Sequence, residues 1–107
     1  TPTAMSEHPL EVSIEEAARL LASAQPPLLI DVREPFEFEE EHIAGALNIP
    51  LNQIPAHAEE IRKFHSPVVL YCRSGNRSGM ALRLLNSQGI ENLYNGGGLY
   101  ELKALIH

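Results

Sequence analysis

The chain has 107 residues, of which 44% are hydrophobic, and it carries a formal net charge of −6 at pH 7. This length suits one domain with a genuine core, and no apolar run approaches the roughly 20 residues that cross a membrane. With eight lysines and arginines against fourteen acidic residues, the chain lacks the basic face that binds nucleic acid. We therefore expect a protein that binds neither membranes nor nucleic acids. We also expect a monomer, although the oligomeric state does not follow from these quantities.

The order of apolar and polar residues predicts alternating helices and strands. Residues 1–10 contain two prolines and no period, so we interpret them as a flexible lead or an expression remnant and assign the domain to residues 11–107. Ser13 and Glu16 match a capping box at the start of the first helix. The predicted elements are, in chain order, helix 14–23, strand 28–32, helix 35–41, strand 46–49, helix 52–63, strand 68–71, helix 79–88, strand 92–94 and helix 99–106.

This alternation is typical of an α/β fold with a parallel sheet and helices on both faces, because right-handed crossovers place helices on either side. Ligands bind beyond the carboxyl ends of the strands in such sheets. Cys72 follows one strand, and Asp31 and Arg33 stand at the end of another, so we expect all three at the same edge. The carboxylate and guanidinium there would brace the loop after Cys72 or help attract an anion.

Cysteine usage bears on the cellular compartment. The sequence contains one cysteine, so no disulfide can form within the chain, which suits a reducing environment. Residues 1–10 have neither the basic nor the apolar segment of a secretion signal. We expect a cytoplasmic protein, or a periplasmic one if a signal peptide has been removed.

Cys72 stands where an apolar run gives way to a polar, glycine-containing segment that leads into a helix. Strand end, loop and helix N-terminus together direct backbone N–H groups and positive dipole at the sulfur, which favours a thiolate. The alternative is a small buried hydrophobic side chain, the commoner state of a free cysteine. Two arginines, two serines and an asparagine beside it favour the reactive thiolate. The candidate site comprises Cys72, Arg73, Ser74, Gly75, Asn76, Arg77 and Ser78.

Four segments resemble the signatures of the rhodanese-domain family, in the order usual for that family. They are Asp-Val-Arg-Glu at residues 31–34, Glu-His-Ile-Ala-Gly-Ala-Leu-Asn-Ile-Pro at residues 41–50, Cys-Arg-Ser-Gly-Asn-Arg-Ser at residues 72–78 and Asn-Gly-Gly at residues 95–97. The resemblance covers residues 11–106, nearly the whole chain. It implies a single domain with a five-stranded, mostly parallel sheet and a sulfurtransferase activity.

The resemblance also implies roles for the loop residues. Cys72 would be the nucleophile and carry a persulfide, while the main-chain amides of residues 73–78 would bind its outer sulfur, as successive amides of a tight loop can. Arg73 or Arg77 would hold a small anionic donor such as thiosulfate, and cyanide, a thiol or a protein would accept the sulfur. We expect no cofactor, and no metal because the five histidines show no ligand spacing.

Two other functions stay open at this point. A sulfur carrier or interaction module would be loaded and unloaded by a partner protein. A phosphatase or arsenate reductase of the same fold would resemble Cys-x5-Arg, whereas this chain has Cys-x4-Arg, whose shorter ring suits one sulfur atom better than a phosphate. Three adjacent glycines, Gly96, Gly97 and Gly98, lack the spacing of a nucleotide-binding loop and predict a tight turn that permits close backbone approach.

Overall fold

The computed structural model describes residues 13–64 and 66–106, so the predicted lead over residues 1–10 lies outside the described residues. The strands are β1 (Leu28–Asp31), β2 (Leu47–Asn48), β3 (Val68–Cys72) and β4 (Leu93–Gly98). The helices are α1 (Ile14–Leu21), α2 (Pro35–Glu40), α3 (Ala58–Arg62), α4 (Asn76–Ser87) and α5 (Leu99–Leu105). None of the helices in the described ranges has the length and apolar character of a bilayer-crossing helix.

The sheet is fully parallel in the order β2-β1-β3-β4, which confirms the predicted α/β fold. Among the described residues it has four strands, one fewer than the resemblance implied. The four strand segments identified from apolar runs are all present, and no further apolar run among the described residues adds a fifth strand. Ser13, the N-cap residue of α1, makes no side-chain capping hydrogen bond, but its backbone N–H donates to the Asn95 carbonyl oxygen of β4 (2.7 Å).

Successive side chains of β3 enter opposite hydrophobic layers, as the period of a strand requires. Val69 and Tyr71 pack into the layer that includes residues of α1 and α5. Leu70 and Cys72 pack into the layer that includes residues of α3 and α4. All four are at most 1% exposed. The sulfur of Cys72 is therefore held by a strand that is buried on both faces.

The predicted helix over residues 52–63 is divided into three short pieces. Two 3-10 helices, Leu51–Gln53 and Pro55–His57, precede α3. Pro55 explains the division, because it has no N–H to donate and its ring clashes with the carbonyl four residues earlier in an α-helix.

The predicted turn at the three glycines is wrong, since β4 continues through all of them to Gly98. The predicted close approach is confirmed. A β-carbon at Gly96 would lie 3.0 Å from Leu102 Cδ2, and one at Gly98 would lie 2.5 Å from the Arg73 carbonyl oxygen. The glycines therefore let β4 lie against the start of the loop that follows Cys72.

Candidate active site

The sulfur of Cys72 lies inside a tight loop at the carboxyl end of β3. Its Sγ accepts hydrogen bonds from the backbone N–H groups of Gly75 (3.0 Å) and Ser78 (3.4 Å), and lies 3.5 Å from Ser78 Oγ. Gly75 has a φ of +98°, a left-handed conformation that a side chain would strain. This conformation turns the chain back over the sulfur.

Helix α4 begins at Asn76, three residues earlier than predicted. Gly75 is its N-cap residue, so Asn76, Arg77 and Ser78 form the first helical turn rather than a loop. The first N–H groups of a helix have no partner within the helix. The Ser78 N–H is therefore available to donate a hydrogen bond to Cys72 Sγ. The positive end of the helix dipole also lies near the sulfur.

The pKa of Cys72 reflects two opposed effects. Burial raises it, while hydrogen bonds from the Ser78 hydroxyl and from the backbone amides of Ser78, Ser74 and Gly75 lower it. The hydrogen bonds prevail, so the pKa lies below that of an ordinary thiol. The Ser78 hydroxyl, however, has only one proton and lies closer to Asn95 Oδ1 (2.7 Å) than to the sulfur. The lowered pKa therefore stands most firmly on the backbone amides.

Arg77 is held by an ion pair with Glu37 of α2, a residue outside the site predicted from the sequence. Arg77 Nη1 and Nη2 donate to the two carboxylate oxygens of Glu37 at 2.8 and 3.2 Å. Glu37 also accepts a hydrogen bond from the Glu34 N–H (2.9 Å). The hydrogen bonds from Arg77 lower the pKa of Glu37 to about 2. Arg77 thus ties the first turn of α4 to α2.

Replacement of Glu37 with glutamine is expected to lower stability at neutral pH by roughly 1–2 kcal/mol, allowing for solvent screening of the partly exposed Arg77. The lowered pKa means that the ion pair stabilises the fold above about pH 4.5 and loses this effect as the pH falls toward about 2. Urea unfolding of both proteins across this range should therefore show a shrinking difference. Glu39→Gln, an exposed position on the same helix, is the matched control. A difference between the Glu37→Gln and unsubstituted proteins that stays constant with pH would contradict the prediction.

Arg73, Ser74 and Asn76 are exposed around the buried sulfur. Arg73 lines a depression of about 110 Å³ together with Arg33 and Tyr100. The same depression is also lined by Glu37, Glu40 and Glu41. The cationic group closest to the cysteine in the sequence therefore stands at the surface.

Asp31 and Arg33 lie at the same sheet edge and are paired with each other. Arg33 Nε and Nη2 donate to the Asp31 carboxylate at 3.0 and 2.8 Å, and Nη2 also donates to the Glu41 carbonyl oxygen after α2. Asp31 is 0% exposed and Arg33 5%. The hydrogen bond to Asp31 raises the pKa of Arg33. These contacts brace the carboxyl end of β1 against the segment that follows α2. They do not reach the loop after Cys72, so the two predicted roles stay predictions.

Asn95 belongs to the site although the sequence marked it only as part of a motif. Its Oδ1 accepts from Ser78 Oγ (2.7 Å) and from the Gly97 N–H (3.0 Å), while its Nδ2 donates to the Gly75 carbonyl oxygen (3.2 Å). Asn95 is 2% exposed. A buried amide within an otherwise apolar and glycine-rich strand was the signal that could have identified it.

Metal ligands do not assemble in the described parts of the chain. Within residues 13–64 and 66–106, histidine, cysteine and carboxylate side chains form no group of three that could hold an ion.

A family model described as "Rhodanese-like domain" matches residues 13–104. The chain is 52% identical over 67 residues to the uncharacterized protein YqhL of Bacillus subtilis, a match that covers 63% of this chain and 52% of that protein. It is 36% identical over 74 residues to thiosulfate sulfurtransferase PspE of Escherichia coli, with 68% and 71% of the two chains covered.

A solved structure described as a rhodanese with anions from E. coli superimposes with a TM-score of 0.65 at 36% identity, over 70% of this chain and 89% of that chain. The matched region spans about half the length of YqhL. Family model, relatives and fold agree with the motifs around Cys72. The chain belongs to the rhodanese-like domain family.

Proposed function

We propose that this protein is a sulfurtransferase that carries a sulfur atom as a persulfide on Cys72. The observation that carries the proposal is the placement of two backbone N–H groups, those of Gly75 and Ser78, on the Cys72 sulfur. Donors fixed by the backbone stabilise a sulfur anion without reorganisation during the reaction. A thiolate is the form of cysteine that attacks another sulfur.

The reaction would proceed in two displacements. Cys72 thiolate attacks the outer sulfur of thiosulfate, the sulfur–sulfur bond of the donor breaks, and sulfite leaves with the electron pair. The persulfide anion then gives its outer sulfur to a nucleophilic acceptor such as cyanide or a thiol, and Cys72 returns as a thiolate. Since the chain has no second cysteine, an internal thiol cannot convert the persulfide to a disulfide.

The small anionic donor is supported by the relatives and by the charges at the loop. PspE is named a thiosulfate sulfurtransferase, and the E. coli rhodanese structure is described with anions. Arg77 is already paired with Glu37, whereas Arg73 is exposed beside the cysteine. Of the two arginines we assign the greater share of donor binding to Arg73. Ser74 and Gly75 of the loop and Asn76 and Ser78 of the first turn of α4 surround the sulfur.

Arg73→Ala is expected to raise the KM for thiosulfate about fivefold with little change in stability, since an exposed charge contact contributes roughly 1 kcal/mol. Steady-state kinetics with thiosulfate and cyanide, together with thermal unfolding, measure both effects. Arg83→Ala removes the same charge from an exposed position farther along α4 and should leave the KM unchanged. Equal KM values for the two variants would contradict the role of Arg73.

Phosphatase activity is disfavoured by the Arg77–Glu37 pair. A phosphate held in the loop would need the guanidinium that both carboxylate oxygens of Glu37 already bind. Release of phosphate from an aryl phosphate would therefore contradict the proposed function. Slow turnover with thiosulfate, together with fast transfer of the sulfur atom between this protein and one partner protein, would identify a sulfur carrier instead.

The direct test of the function is sulfur loading. The protein is incubated with thiosulfate, freed of excess reagent and weighed by intact mass spectrometry. We expect the mass to increase by one sulfur atom and to return to its starting value when cyanide is added, with thiocyanate formed in equal amount. A protein that gains no sulfur from thiosulfate would overturn thiosulfate as donor, and one that gains none from any persulfide donor would overturn the function.

A further inference from the structure

The hydroxyl group of Ser78 has two neighbours that compete for its single proton. Asn95 Oδ1 lies 2.7 Å away and Cys72 Sγ lies 3.5 Å away. Ser78 is 0% exposed and Asn95 2% exposed, so water does not readily replace either partner. The direction in which the Ser78 O–H bond points therefore decides whether Cys72 Sγ faces the hydroxyl proton or a lone pair of the hydroxyl oxygen.

The orientation of the Asn95 amide is fixed by its other contacts. Oδ1 accepts from the Gly97 N–H at 3.0 Å, and Nδ2 donates to the Gly75 carbonyl oxygen at 3.2 Å. Exchange of the amide oxygen and nitrogen would set two donors against each other at Gly97 and two acceptors at Gly75. Toward Asn95, Ser78 can only donate.

This constraint has different consequences for the two forms of the cysteine. When Cys72 is a thiol, its S–H can donate to Ser78 Oγ while the hydroxyl donates to Asn95. When Cys72 is an anion it can only accept, and a lone pair of Ser78 Oγ facing it would be repulsive. Rotation of the hydroxyl removes this repulsion. Asn95 Oδ1 then keeps its hydrogen bond from the Gly97 N–H and is not left without a donor.

We propose that the Ser78 hydroxyl is a two-position donor, which donates to Asn95 Oδ1 while Cys72 is a neutral thiol and turns to donate to the sulfur when Cys72 becomes an anion. The inference deepens the proposed function, on which it rests, because that reaction needs the anion. The thiol proton leaves to solvent, and Ser78 keeps its own proton throughout. Asn95 is a positioning residue in this arrangement, since it acts on the sulfur through Ser78.

The decisive test is the pH dependence of Cys72 alkylation by iodoacetamide in Ser78→Ala. A hydroxyl that turns to the sulfur stabilises the anion by a charge-assisted bond, so its loss should shift the profile upward by about one pH unit. Alkylation below the midpoint should slow about tenfold. A hydroxyl that stays on Asn95 only accepts from the thiol, so its loss would leave the profile unchanged or shift it downward, which would overturn the proposal.

Several charged groups also lie around the loop and the strand ends near Cys72, and they stay the same in this comparison. They are Arg73, Arg77 with its partner Glu37 on α2, the pair Asp31 and Arg33 at the end of β1, and Glu101 on α5. Ser87→Ala is the matched control, because Ser87 lies at the exposed end of α4 and its hydroxyl donates to the Leu84 carbonyl oxygen. Its alkylation profile should equal that of the unsubstituted protein.

A second measurement covers the case in which Ser78→Ala does not fold. In the unsubstituted protein at a pH where Cys72 is a thiol, infrared spectroscopy should show an S–H stretching band lowered in frequency by donation to Ser78 Oγ. A band at the position of a thiol without an acceptor would overturn the proposal. Because neither readout uses a sulfur donor, failure of thiosulfate loading with the expected alkylation shift would contradict the function and not the two-position donor.

Discussion

Cys72→Ala is expected to keep its starting mass after incubation with thiosulfate, while the unsubstituted protein gains one sulfur atom. Turnover with thiosulfate and cyanide should fall by at least about 10³-fold, because loss of a covalent nucleophile removes the reaction path itself. The sulfur is the atom on which the Gly75 and Ser78 amides converge, and the sequence contains no other cysteine to replace it. Intact mass spectrometry and thiocyanate formation measure the two effects.

A loss of folding must be separated from the loss of chemistry in this experiment. Cys72 is buried in the hydrophobic layer beneath α4, so removal of its sulfur should lower the unfolding free energy by roughly 1 kcal/mol. Far-ultraviolet circular dichroism and thermal unfolding of Cys72→Ala check that the fold persists. An adduct that survives in the folded variant would show that sulfur binds elsewhere and would refute Cys72 as its carrier.

Gly98→Ala is expected to cause the largest loss of stability among the glycine substitutions considered. A β-carbon there would lie 2.5 Å from the Arg73 carbonyl oxygen, a distance that neither backbone can accept without moving. Since Gly98 pairs with Cys72 in the sheet, the displacement would open the site next to the sulfur. We expect the unfolding free energy to fall by about 3 kcal/mol, the upper part of the usual range for overpacking, and sulfur loading to slow.

Gly45→Ala provides the comparison for this result. Gly45 has a φ of +89°, but a β-carbon there would meet no atom within 4 Å. Its substitution should therefore cost only the conformational strain, about 1 kcal/mol. Urea unfolding of the two variants compares a backbone clash with strain alone. If Gly98→Ala proved as stable as Gly45→Ala, the close approach of β4 to the loop would be refuted.

The elements that position Cys72 could be predicted because their signals are local. Apolar runs predicted all four observed strands, and Pro35 marked the start of α2. The glycine in the segment after Cys72 predicted the turn that Gly75 makes with its positive φ. The errors concern the ends of single elements. Helix α4 begins at Asn76 and not at residue 79, and the three glycines predicted to form a turn extend β4. A strand that lies this close to its neighbour selects residues without side chains.

The roles of the polar residues around the sulfur could not be predicted in the same way. Arg77 is paired with a glutamate forty positions earlier, and Ser78 with an asparagine seventeen positions later. A pattern of adjacent residues cannot predict these two contacts, because the distances between the paired side chains depend on how β1, β3 and β4 lie side by side in the sheet. The motif at residues 95–97 included Asn95, but it did not show that the Asn95 side chain forms hydrogen bonds with Ser78, Gly75 and Gly97.

The amino-acid sequence by itself determined the order of strands and helices, the family and the position of the single cysteine at the end of a strand. Each of these follows from the periodicity of short segments or from motifs read in order along the chain. Only the tertiary structure decided which arginine is paired with Glu37, which arginine is exposed, and which groups lie within hydrogen-bonding distance of the Ser78 hydroxyl. Those assignments depend on distances of a few ångströms between residues that are remote in the chain, and packing of the completed sheet sets such distances.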